Sequence, residues 1–315
     1  MIQHEFIAID EGHATLLHVD ERNPSKNWLV PIGQPQSRDL QLIGDGQILI
    51  SHHHGYSEFD IELGRLRKEF EALEGVTAAR RQPNGHTLIA GADLPPTKGV
   101  SVLELDEADK EIHRAIFPGD YVRLIRQTNE GTYLMSCNDR IREGSQDGRY
   151  LREYPVEGFY HAWKSLRRPD GNLIVTAGYG AFVVELDREG RILRKFGGKE
   201  QIPERTRPYF YAMFQLLPNG NIVLANWQGH GPGLGNSGVQ LLEFNAAGEM
   251  VWTWSKAELI SSLQGVLVLD GLDTSKLHDE RNGVMSPVQR SKDFDGSRMV
   301  SFASIGGQSQ PSDSN

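Results

Sequence analysis

A hairpin turn that recurs at nearly constant spacing constrains the fold of this chain more than any other feature. Each copy has an apolar strand, a turn ending in glycine and a second apolar strand, as in FQLLPNGNIVLAN from Phe214 and SLRRPDGNLIVTA from Ser165. Glycine suits such turns because it adopts positive φ at low steric cost. The turn glycines are Gly46, Gly85, Gly131, Gly171, Gly220 and Gly271, at intervals of 39, 46, 40, 49 and 51 residues.

A second apolar hairpin lies between successive turns. The clearest copies are VSVLELDEADKEIHRAIF from Val100, AFVVELDREGRILRKF from Ala181 and VQLLEFNAAGEMVWTW from Val239. Each unit therefore holds four strands, which we label A to D. Alternating apolar residues, frequent turn glycines and units of roughly 40 to 50 residues are typical of a β-propeller.

The two ends of the chain complement each other. Glu5 to Ile32 contains segments that resemble strands B, C and D without a preceding A, and Gly265 to Leu269 resembles an A strand that lacks its C and D. We therefore predict an all-β, six-bladed β-propeller of four-stranded antiparallel blades, closed by a C-terminal strand that joins the N-terminal blade. The predicted domains are the propeller at residues 1–273 and a partly packed tail at 274–315 with a disordered end.

The register of LPNGNIVLAN followed by LLEFNAAGEMVWTW resembles the quinoprotein-like (PQQ-repeat-like) β-propeller superfamily. The resemblance runs from Glu5 to about Asp273. It implies the fold alone, because this motif is a structural repeat that carries no chemistry. The chain lacks the Trp-Asp dipeptide of WD40 blades and the adjacent Cys pair of many pyrroloquinoline-quinone dehydrogenases, so PQQ is not the expected cofactor.

Composition excludes several partner classes. Lys and Arg number 33 against 42 Asp and Glu, a net charge of −9, and no basic block occurs. Nucleic acids and anionic membranes both require a concentrated positive surface, so neither is an expected partner.

The single Cys137 excludes an internal disulfide and multi-cysteine metal sites. The first residues, MIQHEFIAIDEG, do not resemble a signal peptide, which favours a cytoplasmic location.

One face of the predicted propeller concentrates the chemically active residue types. In propellers resembling this one, the B-to-C loops and the D-to-A connections open on the same face, around the central channel. Five of the 11 histidines map there, namely His52, His53, His54, His161 and His230. The predicted substrate-binding residues of this face are Trp163, Trp227, Asn226, Tyr179, Arg80 and Arg140.

The run from Ser51 to Tyr56, SHHHGY, suggests a metal site. If it continues a strand, His52 and His54 point the same way, and His161 or His230 from other blades could complete a set of imidazole ligands. A divalent metal is therefore the candidate cofactor. The alternative is that these are polar loop residues hydrogen-bonded to nearby backbone.

The catalytic candidates lie in two other loops. His161 precedes an A strand and is expected near Arg123 and Lys164, where it would act as a general base; the alternative is a hydrogen-bonded core histidine. In the Gly-rich loop from Asn226 to Asn236, Trp227 offers a stacking surface and His230 a titratable group. The alternative there is a structural loop whose Trp seals the gap between blades. The aromatic residues Tyr209, Phe210 and Tyr211 are interpreted as packing between blades.

Two functions follow. The first is an enzyme that acts on a small polar substrate, a carbohydrate or sugar acid, by a lyase or hydrolase (lactonase) reaction at the channel mouth. His161 and His230 would be its acid and base, and Arg123 with Lys164 would hold a carboxylate. The second is a non-catalytic propeller that binds a protein or a ligand across the same face. The concentration of histidines favours the enzyme.

Overall fold

Six blades of four antiparallel strands form a closed ring in the computed structural model, which describes residues 1–119 and 121–281 and the backbone strand 286–288. The predicted six-bladed β-propeller is confirmed. Blades are numbered 1 to 6 in the order of their A strands, and each blade runs from strand A at the channel to strand D at the rim.

The strands of the first three blades are these. Blade 1 has β4 (Leu40–Gly44), β5 (Gln47–His52), β6 (Gly55–Asp60) and β7 (Leu66–Phe70). Blade 2 has β8 (Val76–Arg81), β9 (Thr87–Ala92), β10 (Val100–Leu105) and β11 (Glu111–Phe117). Blade 3 has β12 (Ile125–Gln127), β13 (Tyr133–Ser136), β14 (Arg140–Gly144) and β15 (Tyr150–Pro155).

The remaining blades complete the ring. Blade 4 has β16 (Ser165–Arg167), β17 (Leu173–Thr176), β18 (Val183–Leu186) and β19 (Ile192–Phe196). Blade 5 has β20 (Phe210–Leu216), β21 (Ile222–Trp227), β22 (Leu241–Phe244) and β23 (Met250–Trp254). Blade 6 has β24 (Leu263–Val268), β1 (Glu5–Asp10), β2 (Thr15–Asp20) and β3 (Trp28–Pro31).

The predicted closure of the ring is the antiparallel pairing of β24 with β1, in which Phe6 faces Val268. His4, just before β1, reinforces it by contacting Asp270 at 2.6 Å and Glu243 of blade 5 at 3.0 Å. Burial opposes the charge on this imidazole, but hydrogen bonds to the two carboxylates outweigh it and raise the pKa of His4 to about 9. His4 is therefore a buried cation at neutral pH and ties the segment after β24 to blade 5.

The blades are held together by apolar side chains from the strand interiors. All six predicted turn glycines have positive φ, from 66° at Gly46 to 90° at Gly85, as tight hairpins require. Trp252 and Trp254 of β23 pack edge-on against Phe6, between blades 5 and 6.

The helical residues in the described part of the chain are two 3-10 turns, Pro24–Lys26 and Glu204–Thr206. No helix there is long and apolar enough to cross a membrane.

The start of the C-terminal tail enters the channel. Strand β25 (Leu277–Asp279) pairs with the free inner edge of β4, and β26 (Ser286–Val288) pairs with β25. The end of the tail, which the sequence predicts to be disordered, lies outside the described residues.

Glu280, directly after β25, forms ion pairs with cations from three blades. Its carboxylate contacts Lys164 Nζ at 2.5 Å, Arg126 Nε at 2.6 Å and Arg80 at 3.3 Å. Arg126 also forms a bidentate pair with Asp39 of blade 1, with both distances 2.8 Å. All five side chains are buried. The tail thus fills the channel with a charged network that links blades 1 to 4.

Candidate functional site

A cavity of about 420 Å³ opens at one end of the channel. Its walls come from B-to-C loops, D-to-A connections and the ends of A strands, so it lies on the face that the sequence predicts to carry the site. The lining residues are Glu11, Gln36, Arg38, Arg123, His161, Trp163, Tyr179, Phe210, Trp227, His230 and Gln264.

Two guanidinium groups give this cavity a positive wall. Arg123 lies over the rings of Tyr121 and Trp163, 4.2 and 5.6 Å from their centroids. Arg38 donates to Gln36 at 2.6 Å and to the carbonyl of Val76 at 3.5 Å. Neither pairs with a carboxylate of the described residues. Burial, together with the like charge of Arg123, lowers the pKa of Arg38 to about 10, and burial also lowers the pKa of Arg123. Both remain cationic at neutral pH and attract an anion.

His161 is held in an unusual backbone conformation beside Tyr121. Its φ of 58° lies in the left-handed region, which a residue with a side chain occupies at a cost and often at functional sites. Gly178 makes this possible, because a Cβ there would lie 2.2 Å from the carbonyl oxygen of His161. The imidazole Nδ1 is hydrogen-bonded to the Tyr121 hydroxyl, which leaves Nε2 for a ligand. Burial, and next the charge of Arg123, lower the pKa of His161. The ring is therefore neutral at pH 7, as a general base requires.

A second histidine is oriented by a carboxylate. His230 Nδ1 lies 2.8 Å from Glu11 Oε1, and the indole of Trp227 donates to Glu11 Oε2 at 3.2 Å. Glu11 belongs to the B-to-C turn of blade 6, which can approach blade 5 because its neighbour is Gly12. A Cβ on Gly12 would lie 2.6 Å from the carbonyl oxygen of Gly231. Because Glu11 accepts the hydrogen bond at Nδ1, His230 Nε2 is free for proton transfer.

Aromatic rings form the remaining wall. Phe210 lies edge-on to Trp163 at 5.4 Å, to Tyr179 at 4.7 Å and to Trp227 at 5.2 Å between ring centroids. Rigid aromatic faces around a few polar groups are typical of sites that bind sugars and other small polar molecules. The prediction that Phe210 only packs between blades is thus incomplete, because it also lines the cavity.

The structure brings together half of the residues predicted from the sequence. Those that line the cavity are His161, His230, Arg123, Trp163, Trp227 and Tyr179. Cys137 is buried, and burial raises the pKa of its thiol to about 11.

Lys164 and Arg80 lie elsewhere, which corrects two expectations. Lys164 is fully buried in the channel, where it donates to Glu280 and to the Phe214 carbonyl at 2.6 Å, so it does not pair with Arg123 at the mouth. Adjacent side chains of an extended segment point in opposite directions, so Trp163 reaches the cavity while Lys164 does not. Arg80 donates to the Leu40 carbonyl at 3.0 Å and contacts Glu280 in the same channel network.

Asn226 and Arg140 also lie outside the cavity lining. The fully buried Asn226 amide accepts from the backbone of Tyr209 at 2.9 Å and donates to the carbonyl of Val239 at 2.7 Å, which fixes the end of β21 beside Trp227. Arg140 forms ion pairs with Asp139 and Glu153 at the surface, at 2.7 and 2.8 Å.

The histidine run of blade 1 does not form the expected ligand arrangement. His53 and His54 are the two turn residues between the paired ends His52 and Gly55, so strand alternation stops at His52. His52 is fully buried, its Nδ1 accepts from the backbone of His54, and burial lowers its pKa to about 4. Among the residues that the structure describes, no group of three or more His, Cys, Asp or Glu is placed to hold a metal ion.

Sequence reasoning missed Glu11 and Gln264 and did not single out Arg38 and Gln36. Glu11 occupies a B-to-C turn, so the loop argument that selected the histidines could have found it. Gln264 lies within β24, the most degenerate copy of the A strand, where no sequence signal distinguishes it from its neighbours.

No protein-family model matches the chain, and no curated protein matches it. Solved structures do. A protein of unknown function from Bacteroides caccae is 22% identical with a TM-score of 0.70, over 85% of this chain and 99% of that one. The WD40 β-propeller domain of Doa1 has 12% identity and a TM-score of 0.56, with coverages of 80% and 79%. A functionally unknown protein from Desulfotomaculum acetoxidans has 13% identity and a TM-score of 0.52, with coverages of 84% and 98%. These similarities establish the propeller fold alone.

Proposed function

We propose that this propeller is an enzyme that acts on a small sugar acid, or on the lactone that such an acid forms, in the cavity at the channel mouth. The observation that supports this most is the pair Arg38 and Arg123, two half-buried cations that face one cavity without a carboxylate partner in the described chain. A cation that is removed from water without an ion-pair partner is costly, and the more distant Glu11 carboxylate offsets this only in part for Arg38. An anionic ligand would offset the rest. Kinship with the quinoprotein-like superfamily remains part of this proposal and adds no chemistry to it.

The geometry suits a lyase reaction. Arg38 and Arg123 hold the carboxylate and stabilise the negative charge that develops on it as the adjacent carbon loses a proton. His161 Nε2 accepts that proton, while Nδ1 stays hydrogen-bonded to Tyr121. The electron pair of the C–H bond forms the new double bond, and the C–O bond at the next carbon breaks. His230, entering this step as the imidazolium, gives its Nε2 proton to the departing oxygen and keeps its Nδ1 proton in the hydrogen bond to Glu11.

A lactone has no free carboxylate, so there Arg38 and Arg123 would stabilise the oxyanion that forms when water attacks the carbonyl carbon. His161 would take the proton of that water, and imidazolium His230 would protonate the ring oxygen as the acyl–oxygen bond breaks.

Turnover of a panel of uronates, oligouronates and aldonolactones tests the proposal. We expect His161→Gln to lower kcat about 100-fold or more with a small change in KM, because it removes only the proton acceptor. Arg123→Gln should raise KM about tenfold or more through the loss of a charge-assisted hydrogen bond, and should also lower kcat because the developing charge loses one of its two cations. Arg140→Gln is the matched control, since Arg140 lies outside the cavity, and it should leave both constants within about twofold.

Two outcomes would contradict the proposal. Equal turnover of neutral sugars, unaffected by Arg123→Gln, would exclude carboxylate recognition. Binding of sugar acids without turnover of any would identify the protein as a non-catalytic ligand-binding propeller.

A further inference from the structure

Three residues that line the cavity each carry a buried polar atom with no hydrogen-bond partner within the described protein. These atoms are Trp163 Nε1, Arg123 Nε and Gln264 Oε1. Trp163 is 3% exposed and Gln264 is 4% exposed, so both side chains are more than nine-tenths buried. A buried polar group without a partner loses its hydrogen bonds to water and gains none in return, and native proteins avoid this except where a ligand or function requires it.

The three atoms differ in hydrogen-bonding character. The indole and guanidinium nitrogens are donors, whereas the amide oxygen of Gln264 is an acceptor. They also come from different blades. Trp163 precedes the A strand of blade 4, Arg123 precedes that of blade 3, and Gln264 lies in β24 of blade 6. A ligand that satisfies all of them must accept hydrogen bonds on one side and donate one on the other.

A simple carboxylate cannot do this, because an ionised carboxylate only accepts. A hydroxyl group can, since it donates one hydrogen bond and accepts two. We infer that Trp163 and Gln264 are specificity-determining residues that recognise a hydroxyl of the substrate, while Arg38 and Arg123 bind its carboxylate. This inference rests on the proposed function and narrows its substrate class to polyhydroxylated acids over unsubstituted carboxylic acids.

The neighbouring contacts agree with this division of roles. Trp227, the other indole of the cavity, already donates its N–H to Glu11 and therefore has none to offer a ligand. Trp163 is fixed by the edge of Phe210, at 5.4 Å between centroids, and by the Arg123 guanidinium at 5.6 Å. Its N–H therefore has a fixed direction, as a group that recognises one hydroxyl requires.

Isothermal titration calorimetry with matched acids tests the inference. The hydroxylated probes are glucuronate, galacturonate and gluconate, and the unhydroxylated ones are cyclohexanecarboxylate and hexanoate. We expect the best hydroxylated acid to bind the wild type about tenfold or more tightly than its unhydroxylated counterpart. Trp163→Phe keeps the ring but removes the N–H, and Gln264→Met keeps the chain length but removes the amide. Each should reduce that ratio severalfold and leave the dissociation constant of cyclohexanecarboxylate nearly unchanged. Trp227→Phe is the control and should affect both classes of acid alike.

The possible failures are distinct. If the wild type binds both classes equally and Arg123→Gln weakens both, the carboxylate site stands and the hydroxyl recognition is wrong. If the ratio is large but neither Trp163→Phe nor Gln264→Met reduces it, other residues recognise the hydroxyls. If no acid binds, the proposed function itself is wrong, and the inference falls with it.

Discussion

At the scale of single residues, Arg123 acts on its neighbours as well as on a ligand. Burial is the main cause of the lowered pKa of His161, and the positive charge of Arg123 adds to it. Arg123→Gln removes the like charge and keeps most of the volume, so we expect the pKa of His161 to rise toward its ordinary value. A base whose pKa rises is protonated up to a higher pH, and the acidic limb of kcat/KM should move up with it. Titration of the imidazole carbon-bound proton by NMR measures the first effect directly. An unchanged His161 pKa in Arg123→Gln, beside an unchanged Arg140→Gln control, would contradict the assigned electrostatic contact.

The type of residue found at loop positions predicted most of the cavity lining. The same reasoning failed for a side chain whose interaction partner comes from the C-terminal tail. Histidines and aromatic residues at loop positions stand out because turns do not need them, and His161, His230, Trp163 and Trp227 were found on that basis. Lys164 was misplaced because its partner, Glu280, comes from a tail that belongs to no repeat. No spacing rule in a repetitive sequence predicts which cation such a tail will neutralise.

At the scale of elements, the alternation of apolar residues and the turn glycines predict where the strands lie. They do not predict how closely a turn of one blade approaches a loop of the next. Gly12 lies where the B-to-C turn of blade 6 meets the loop of blade 5, and its Cβ would lie 2.6 Å from Gly231 O and 2.7 Å from Ser261 Cβ. We expect Gly12→Ala to displace the turn, lower the free energy of unfolding by about 1–3 kcal/mol and weaken sugar-acid binding, since Glu11 moves away from His230. Urea unfolding and calorimetry measure the two effects. In Gly198→Ala the new methyl group has no atom closer than 3.5 Å, so this control should stay within about 0.5 kcal/mol of the wild type. A Gly12→Ala protein as stable and as tightly binding as that control would show that the turn can adapt.

At the scale of the whole molecule, the channel of the ring contains a charged network whose members come from several blades and from the C-terminal tail. Lys164, Arg126 and Arg80 converge on Glu280, and burial lowers the pKa of Lys164 to about 7 in spite of that carboxylate. Removing one partner of a buried ion pair typically costs about 3–5 kcal/mol, because the remaining charge stays buried. We therefore expect Glu280→Gln to lower the free energy of unfolding by roughly that amount at pH 6, where Lys164 is charged.

The loss should be smaller at pH 9 because of the sign of the Lys164 shift. Above about pH 7 Lys164 is neutral in the folded protein, so its interaction with Glu280 contributes less, and the substitution removes mainly the pairs with Arg126 and Arg80. Urea unfolding at both values of pH measures the difference, with the exposed Glu258→Gln as a control that should change stability by no more than about 0.5 kcal/mol at either. If Glu280→Gln behaves like that control, the segment around β25 does not hold blades 2 to 4 together. If its cost is large but independent of pH, Arg126 and Arg80 carry the interaction and Lys164 contributes nothing to it.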